Sequence, residues 1–358
     1  MSRVHKKHQY NIWKIKMSIL AAAAAVCLFG CGNKTGDTNV KQGMELVEQY
    51  DFQGALACFD LARLNKEDLQ LTSRGEGLAY MGLGDYASAE SAFLESIQNG
   101  GNVLTALEYD TNYYLAAAYI KQGKYEDAKN IYSAIIDLKK KELDAYYLRA
   151  CVLLRQNNYE EAIADFEKAF SLAPDNLDLV TDAYVEMQAA GFGEEGKTYL
   201  SAFMEQKGKK LSDGERGTLY YYLEDYQNAR TYLDGSLNGN DAEKSLILGQ
   251  TYEKLGDLNY AAGVYQTYLS GNEPNAAIYN NLGMCLVKQE KYDEALEAFE
   301  AGIAVGGSDY LQELQYNRIV ANEYLGNFSQ AKSLMEEYLQ AYPDDAKAKR
   351  EYEFLQTR

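Results

Sequence analysis

The sequence predicts an all-α protein, a solenoid of about nine helix-turn-helix units, and three observations carry that prediction. A turn signal recurs at Asp51-Phe52, Asp85-Tyr86, Lys124-Tyr125, Asn158-Tyr159, Phe192-Gly193, Asp225-Tyr226, Asp257-Leu258, Lys291-Tyr292 and Asn327-Phe328, in steps of 34, 39, 34, 34, 33, 32, 34 and 36 residues. Each turn is followed by a small residue, Ala55, Ala89, Ala128, Ala162, Gly196, Ala229, Ala261, Ala295 and Ala331. Four positions later comes a large one, Phe59, Phe93, Tyr132, Phe166, Leu200, Leu233, Tyr265, Phe299 and Met335, and that spacing puts both on one helical face. The only three prolines, Pro174, Pro274 and Pro343, all fall between units, where no helix interior is broken.

The elements follow in chain order. Residues 1–30 hold Arg3, Lys6, Lys7, Lys14 and Lys16, no acidic side chain, and an apolar run from Met17 to Phe29. That is the pattern of a secretory signal, and the run is shorter than the roughly 20 apolar residues of a spanning helix. Its end, Leu28-Phe29-Gly30-Cys31, resembles the lipobox of bacterial lipoproteins. The resemblance implies that Cys31 becomes the lipidated first residue of a chain anchored outside the cytoplasm. Residues 31–39 form a short tether.

Units one to four span residues 40–176, a degenerate fifth unit spans 177–209, and units six to nine span 210–343. Upstream of seven of the nine turns a small residue precedes a bulky one by three: Gly43 and Leu46, Gly77 and Tyr80, Ala116 and Tyr119, Ala150 and Leu153, Gly217 and Tyr220, Gly249 and Tyr252, Gly283 and Leu286; in the ninth unit Ile319 and Asn322 stand there instead. Small residues on both helices let two antiparallel backbones approach while the aromatics fill the space between them. Gly84, Gly123, Gly191, Gly256 and Gly326 stand where a left-handed residue ends the first helix, and the Asp or Asn that often follows can cap the second. The fifth unit has Gly193 and Gly196 where an aromatic and Ala are expected, which leaves two readings: a loosened joint that hinges the two halves, or a divergent but rigid repeat. Residues 344–358 form a polar helix that covers an apolar end, as repeat arrays require.

These residues resemble the tetratricopeptide repeat family, whose 34-residue hairpins show the same small, aromatic, small pattern and a boundary proline. The resemblance covers about residues 36–343 and implies a right-handed superhelical solenoid that binds protein or peptide partners without catalysis. It also implies a concave groove lined by the first helices, where the matching positions are Arg74, Tyr113, Tyr147, Tyr221, Asn280 and Tyr316. The Lys and Asn residues with which some members clamp a terminal carboxylate are absent from the corresponding positions.

Composition excludes several functions. Beyond the signal, 30 basic and 53 acidic residues leave a net charge near −23, which argues against binding a phosphate backbone. His5, His8 and Trp13 all lie inside the signal, so the remainder lacks the commonest general base and zinc ligand. Cys58, Cys151 and Cys285 are widely spaced and read as buried small hydrophobes. Gly191-Phe192-Gly193-Glu194-Glu195-Gly196 matches G-x-G-x-x-G, but a dinucleotide site needs a preceding strand, and this segment lies in the helical register. No catalytic, metal or cofactor residues are therefore assigned.

One charged feature remains. Asp110, Asp144 and Asp178 are spaced by 34 and 34 residues and form an acidic ladder suited to a basic partner, although carboxylates near helix starts also serve the helix dipole. The expected protein is a lipid-anchored, extracytoplasmic scaffold for a protein or peptide, in envelope assembly or secretion. The alternative is a cell-surface binder of a glycan or peptide ligand.

Overall fold

The computed structural model describes residues 37–101, 105–236, 240–306 and 310–358. The signal, Cys31 and the tether up to residue 36 lie outside them. Nineteen helices and no strands are present among the described residues. They fall into two compact units, residues 37–196 and 197–358.

The first unit begins with α1 (Thr38–Glu48), α2 (Phe52–Leu64), α3 (Leu69–Leu83), α4 (Tyr86–Gln98) and α5 (Ala106–Lys121). It continues with α6 (Tyr125–Leu138), α7 (Leu143–Arg155), α8 (Tyr159–Leu172) and α9 (Leu177–Ala189). The boundary falls within α10 (Gly193–Lys207). The second unit then holds α11 (Asp213–Tyr222), α12 (Tyr226–Ser236), α13 (Ala242–Lys254), α14 (Leu258–Gly271) and α15 (Ala276–Lys288). It closes with α16 (Tyr292–Ala304), α17 (Leu311–Tyr324), α18 (Phe328–Ala341) and α19 (Ala346–Leu355). Odd-numbered helices up to α17 are the first helices of hairpins. Within each unit they pack on their own second helix and on neighbouring first helices, such as α1 on α3 and α13 on α15.

The repeated small residues are where the backbones meet. All eight alanines of the second helices, from Ala55 to Ala331, are fully buried, and none of the nine large side chains from Phe59 to Met335 is more than 1% exposed. Full burial of such a side chain contributes about 1.5–3 kcal/mol. Facing it, the first-helix glycines have no room to spare. A Cβ on Gly43 would lie 2.5 Å from Phe59, on Gly77 2.4 Å from Phe93, on Gly217 2.5 Å from Leu233, on Gly249 2.2 Å from Tyr265 and on Gly283 2.4 Å from Phe299.

All nine turns place a left-handed residue at the same position. Five use glycine, Gly84, Gly123, Gly191, Gly256 and Gly326, but four do not: Tyr50, Asn157, Glu224 and Glu290 have φ of 63°, 59°, 64° and 61°. Each of these four bears a cost of about 1–2 kcal/mol that the flanking helix packing overrides. The next residue caps the second helix only where it is aspartate. Asp51, Asp85, Asp225 and Asp257 accept backbone N–H bonds from Gly54, Ser88, Asn228 and Tyr260. Asn158 and Asn327, expected to do the same, make no side-chain cap bond. The Asn327 amide donates instead to Asn322 Oδ1, and α8 carries Glu160 and Glu161 in its first turn, where they complement the helix dipole.

Ion pairs brace successive helices. Arg63 on α2 reaches Glu76 on α3 and Glu95 on α4, with Nε at 2.6 Å from Glu76 Oε1 and Nη1 at 3.1 Å from Glu95 Oε1. Arg149 on α7 grips both oxygens of buried Asp165 on α8, at 2.7 and 2.8 Å, and donates to Ser133 Oγ on α6. The fifth unit keeps a hairpin turn despite its divergence, and Phe192 stacks on Tyr159 with centroids 4.0 Å apart. Helix α19 lays buried Ala348 and Leu355 against Ile319, Leu334, Met335 and Tyr338. Among the described residues no helix is long and apolar enough to cross a membrane.

Candidate functional site

The first-helix faces of the two units differ in chemistry. In residues 37–196 the sequence-assigned Arg74 is largely buried on α3. Its Nη2 donates to Asp110 Oδ2 on α5, and its guanidinium lies 5.5 Å from the Tyr114 ring centroid. Arg74 and the acidic residue Asp110 therefore engage each other. Tyr113, on the same helix as Asp110, is half-buried with its ring 5.9 Å from that of Tyr132. Burial first, then Glu142 and Asp144, raises its phenol far above the usual range. Tyr147 is 4% exposed and packs 5.8 Å from Phe166, so its ring belongs to the hairpin core.

The three aspartates do not share one setting. Asp144 and Asp178 stand in the first turns of α7 and α9, whereas the first-turn acid of α5 is Glu108, which closes a capping box with Thr105. Asp110 is therefore a turn further into its helix than the other two.

In residues 197–358 the same face is lined by amides and phenols that bond from one hairpin to the next. Tyr221 Oη on α11 donates to Gln250 Oε1 on α13 at 3.0 Å, and Gln250 Nε2 donates to Asn281 Oδ1 on α15 at 3.2 Å. One step on, Asn317 Nδ2 of α17 donates to Asn280 Oδ1 at 2.8 Å. Tyr316 lies beside these on α17, half-buried, with Lys347 Nζ 4.3 Å from its ring centroid. Burial, then Glu351, Glu323 and Asp345, pushes its phenol up to about 12. Glu253 on α13 completes the row: its side chain is 7% exposed, accepts from Tyr265 Oη at 2.9 Å, and pairs with Lys288 on α15 at 2.5 Å.

Of these, Gln250, Glu253, Asn281, Lys288 and Asn317 were not singled out by the sequence. A signal existed: Gln250 to Asn281, Asn280 to Asn317 and Glu253 to Lys288 are 31, 37 and 35 residues apart, each close to one repeat. Chemically, a carboxamide offers an acceptor and two donors, which matches the peptide group of an extended chain.

Among the described residues no group of three His, Cys, Asp or Glu is placed to hold a metal ion. Cys58, Cys151 and Cys285 are free thiols, and burial raises those of Cys151 and Cys285, which keeps them protonated. The G-x-G-x-x-G segment follows helix α9, with Gly191 as its left-handed terminus and Gly196 buried inside α10.

Models of the tetratricopeptide repeat match residues 74–128, 143–176, 276–305 and 313–345. The chain is 20% identical over 248 residues to the BBSome complex member BBS4 of Bos taurus, covering 69% of this chain and 39% of that protein. It is 21% identical over 251 residues to the peroxisomal targeting signal receptor of Saccharomyces cerevisiae, covering 64% of this chain and 40% of that one. It thus spans about two fifths of the length of these curated relatives. A tetratricopeptide repeat protein from Parabacteroides merdae shares 16% identity, with 70% of this chain and 99% of that one covered at a TM-score of 0.44. The family matches fall on α3 to α5, on the α7–α8, α15–α16 and α17–α18 hairpins, and on the small-and-aromatic register that packs them, so this chain carries tetratricopeptide repeats.

Proposed function

We propose that the protein is a non-catalytic scaffold that binds a protein or peptide segment along its first helices, held outside the cytoplasm by a lipid on Cys31 and serving assembly or secretion at the cell envelope. The observation that carries the binding half is the row Tyr221, Gln250, Asn281, Asn280 and Asn317, which links amide and phenol groups of four successive first helices, with Asn280 and Asn281 each 8% exposed. Support of a weaker kind comes from the yeast relative, whose name makes it a receptor for a targeting signal. The anchoring half rests on the basic segment, apolar run and Leu28-Phe29-Gly30-Cys31.

Panning the protein against a random peptide library tests the first half. Enriched peptides should bind at least tenfold more weakly to a Gln250→Ala, Asn281→Ala double variant that folds normally; peptides indifferent to the pair would move the site elsewhere. The glycan alternative is favoured by Tyr324, which is 57% exposed and stacks on Tyr292 at 4.7 Å with planes 3° apart, leaving a flat ring face toward solvent. Oligosaccharide binding lost in Tyr324→Ala would establish that reading instead. For the anchor, Cys31→Ser should abolish metabolic lipid labelling and release the protein from membranes. Retained labelling would remove the lipid from the account.

A further inference from the structure

Helix α19 is fastened to α17 and α18 by more than apolar contact. Tyr338 Oη of α18 donates to Asp345 at the start of α19 at 2.7 Å, Tyr352 Oη donates to Glu336 at 2.8 Å, and Lys347 covers the Tyr316 ring. One contact in this interface is electrostatically odd. Glu323 Oε1 on α17 is shut off from water and receives no N–H or O–H donor. What lies within hydrogen-bonding reach of the Glu323 carboxyl is the carboxyl of Glu351, one turn beyond Lys347 on α19. Two ionised carboxylates are both acceptors and repel each other; a single proton between them converts the clash into a hydrogen bond.

We propose that Glu323 and Glu351 share one proton across the α17/α19 interface and so form a clasp that holds α19 down in mild acid and loosens as the pH rises toward neutrality. The groups acting on the pair are Lys347, which favours the ionised form, and Tyr316, with Asp345 close enough to act on Tyr316. Burial, then the charge of Glu351 and the hydrogen bond to it, pushes the Glu323 carboxyl up to about 7, against an ordinary value of 4.5.

The sign follows from where the proton is held. With α19 docked, Glu323 retains a proton that it gives up above pH 4.5 when α19 is undocked, so docking weakens between about pH 4.5 and 7 and is constant above that range. From pH 5 to pH 8 linkage gives a loss of about seventyfold in the docking equilibrium. Uncovering α19 would expose Ile319, Leu334 and Met335, which it now buries.

Hydrogen exchange of the full chain, corrected for the intrinsic pH dependence of exchange, reads this directly. Protection of residues 346–355 should fall by about that factor between pH 5 and pH 8, while residues 292–304 of α16 keep theirs. In Glu351→Gln and Glu323→Gln the amide supplies a donor at every pH, so either variant should hold α19 protection within about threefold across the range. Unchanged protection in the unaltered protein, or a full pH response persisting in both variants, overturns the clasp. A carboxyl 13C titration of the unaltered protein needs no substitution: one glutamate should titrate near 7, and all of them titrating below about 5 would equally overturn it.

Discussion

Replacing Gly283 with valine is expected to lower the stability of the second unit by about 3 kcal/mol, the upper end of the usual cost of overpacking. The reason lies in one contact. A Cβ at Gly283 would stand 2.4 Å from Phe299 Cε1 and 2.7 Å from its Cδ1 and Cζ, and Phe299 is fully buried among Ala295, Leu282 and Leu286. The ring has nowhere to go, so α15 must move off α16. Alanine at the same place should cost less, about 1–2 kcal/mol, although alanine is the better helix former by about 1 kcal/mol. Gly263 provides the opposing case. It also lies in a helix interior, on α14, but nothing stands within 4 Å of its Cβ position, so Gly263→Ala should stabilise by about 1 kcal/mol. Thermal melts followed by circular dichroism check the set: roughly 2–4 °C per kcal/mol is expected for a unit of this size. A Gly283→Val protein melting with the unaltered one would mean that these hairpins are not packed through their glycines.

The same contact explains why so much of the fold was legible. Small and large residues repeat because only a small residue on each helix lets two backbones close around one ring, and that requirement recurs at every hairpin. Turn positions were half legible. Glycine marks the left-handed residue at Gly84 or Gly256, but Tyr50, Asn157, Glu224 and Glu290 adopt the same conformation because the packed helices on either side dictate it. The binding face was harder to read. A tyrosine on a first helix can turn its ring inward, as Tyr147 does against Phe166, or lie half-buried and bond across, as Tyr221 does to Gln250, and the residue type alone does not distinguish them. Arg74 and Asp110 were each noticed separately, but as a groove residue and a ladder residue. Their pairing depends on α5, which starts early enough to put Asp110 a turn inside the helix. The amide rungs escaped because they obey no apolar period and their spacing drifts with loop length.

Arg63→Met is expected to cost about 2–3 kcal/mol at pH 7, with most of that loss disappearing in acid. The guanidinium serves two carboxylates at once. It forks onto Glu76, whose side chain is 10% exposed, and also engages Glu95, which takes a further bond from Ser73 Oγ at 3.0 Å. Methionine fills a similar volume but leaves both acids facing a gap without a cation, and breaking a buried pair in this way costs about 3–5 kcal/mol. The smaller value applies because Arg63 is 35% and Glu95 36% exposed, and water screens part of the loss. The pH dependence separates this account from simple loss of packing. Arg63 holds the Glu95 carboxyl below its ordinary 4.5, against the opposing effect of burial. Stability from that pairing is present above pH 4.5 and is lost as the pH falls through the depressed native value. The unaltered protein should therefore weaken on acidification below 4.5, whereas the methionine variant, which lacks the Arg63–Glu95 pairing, should not. Denaturant midpoints at pH 7 and pH 3.5 should show the gap between the two proteins closing by more than half. Arg63→Lys sharpens the test, since it keeps the charge but loses the fork, and should fall between them at pH 7. A gap of equal size at both pH values would assign the contribution of Arg63 to its aliphatic stem alone.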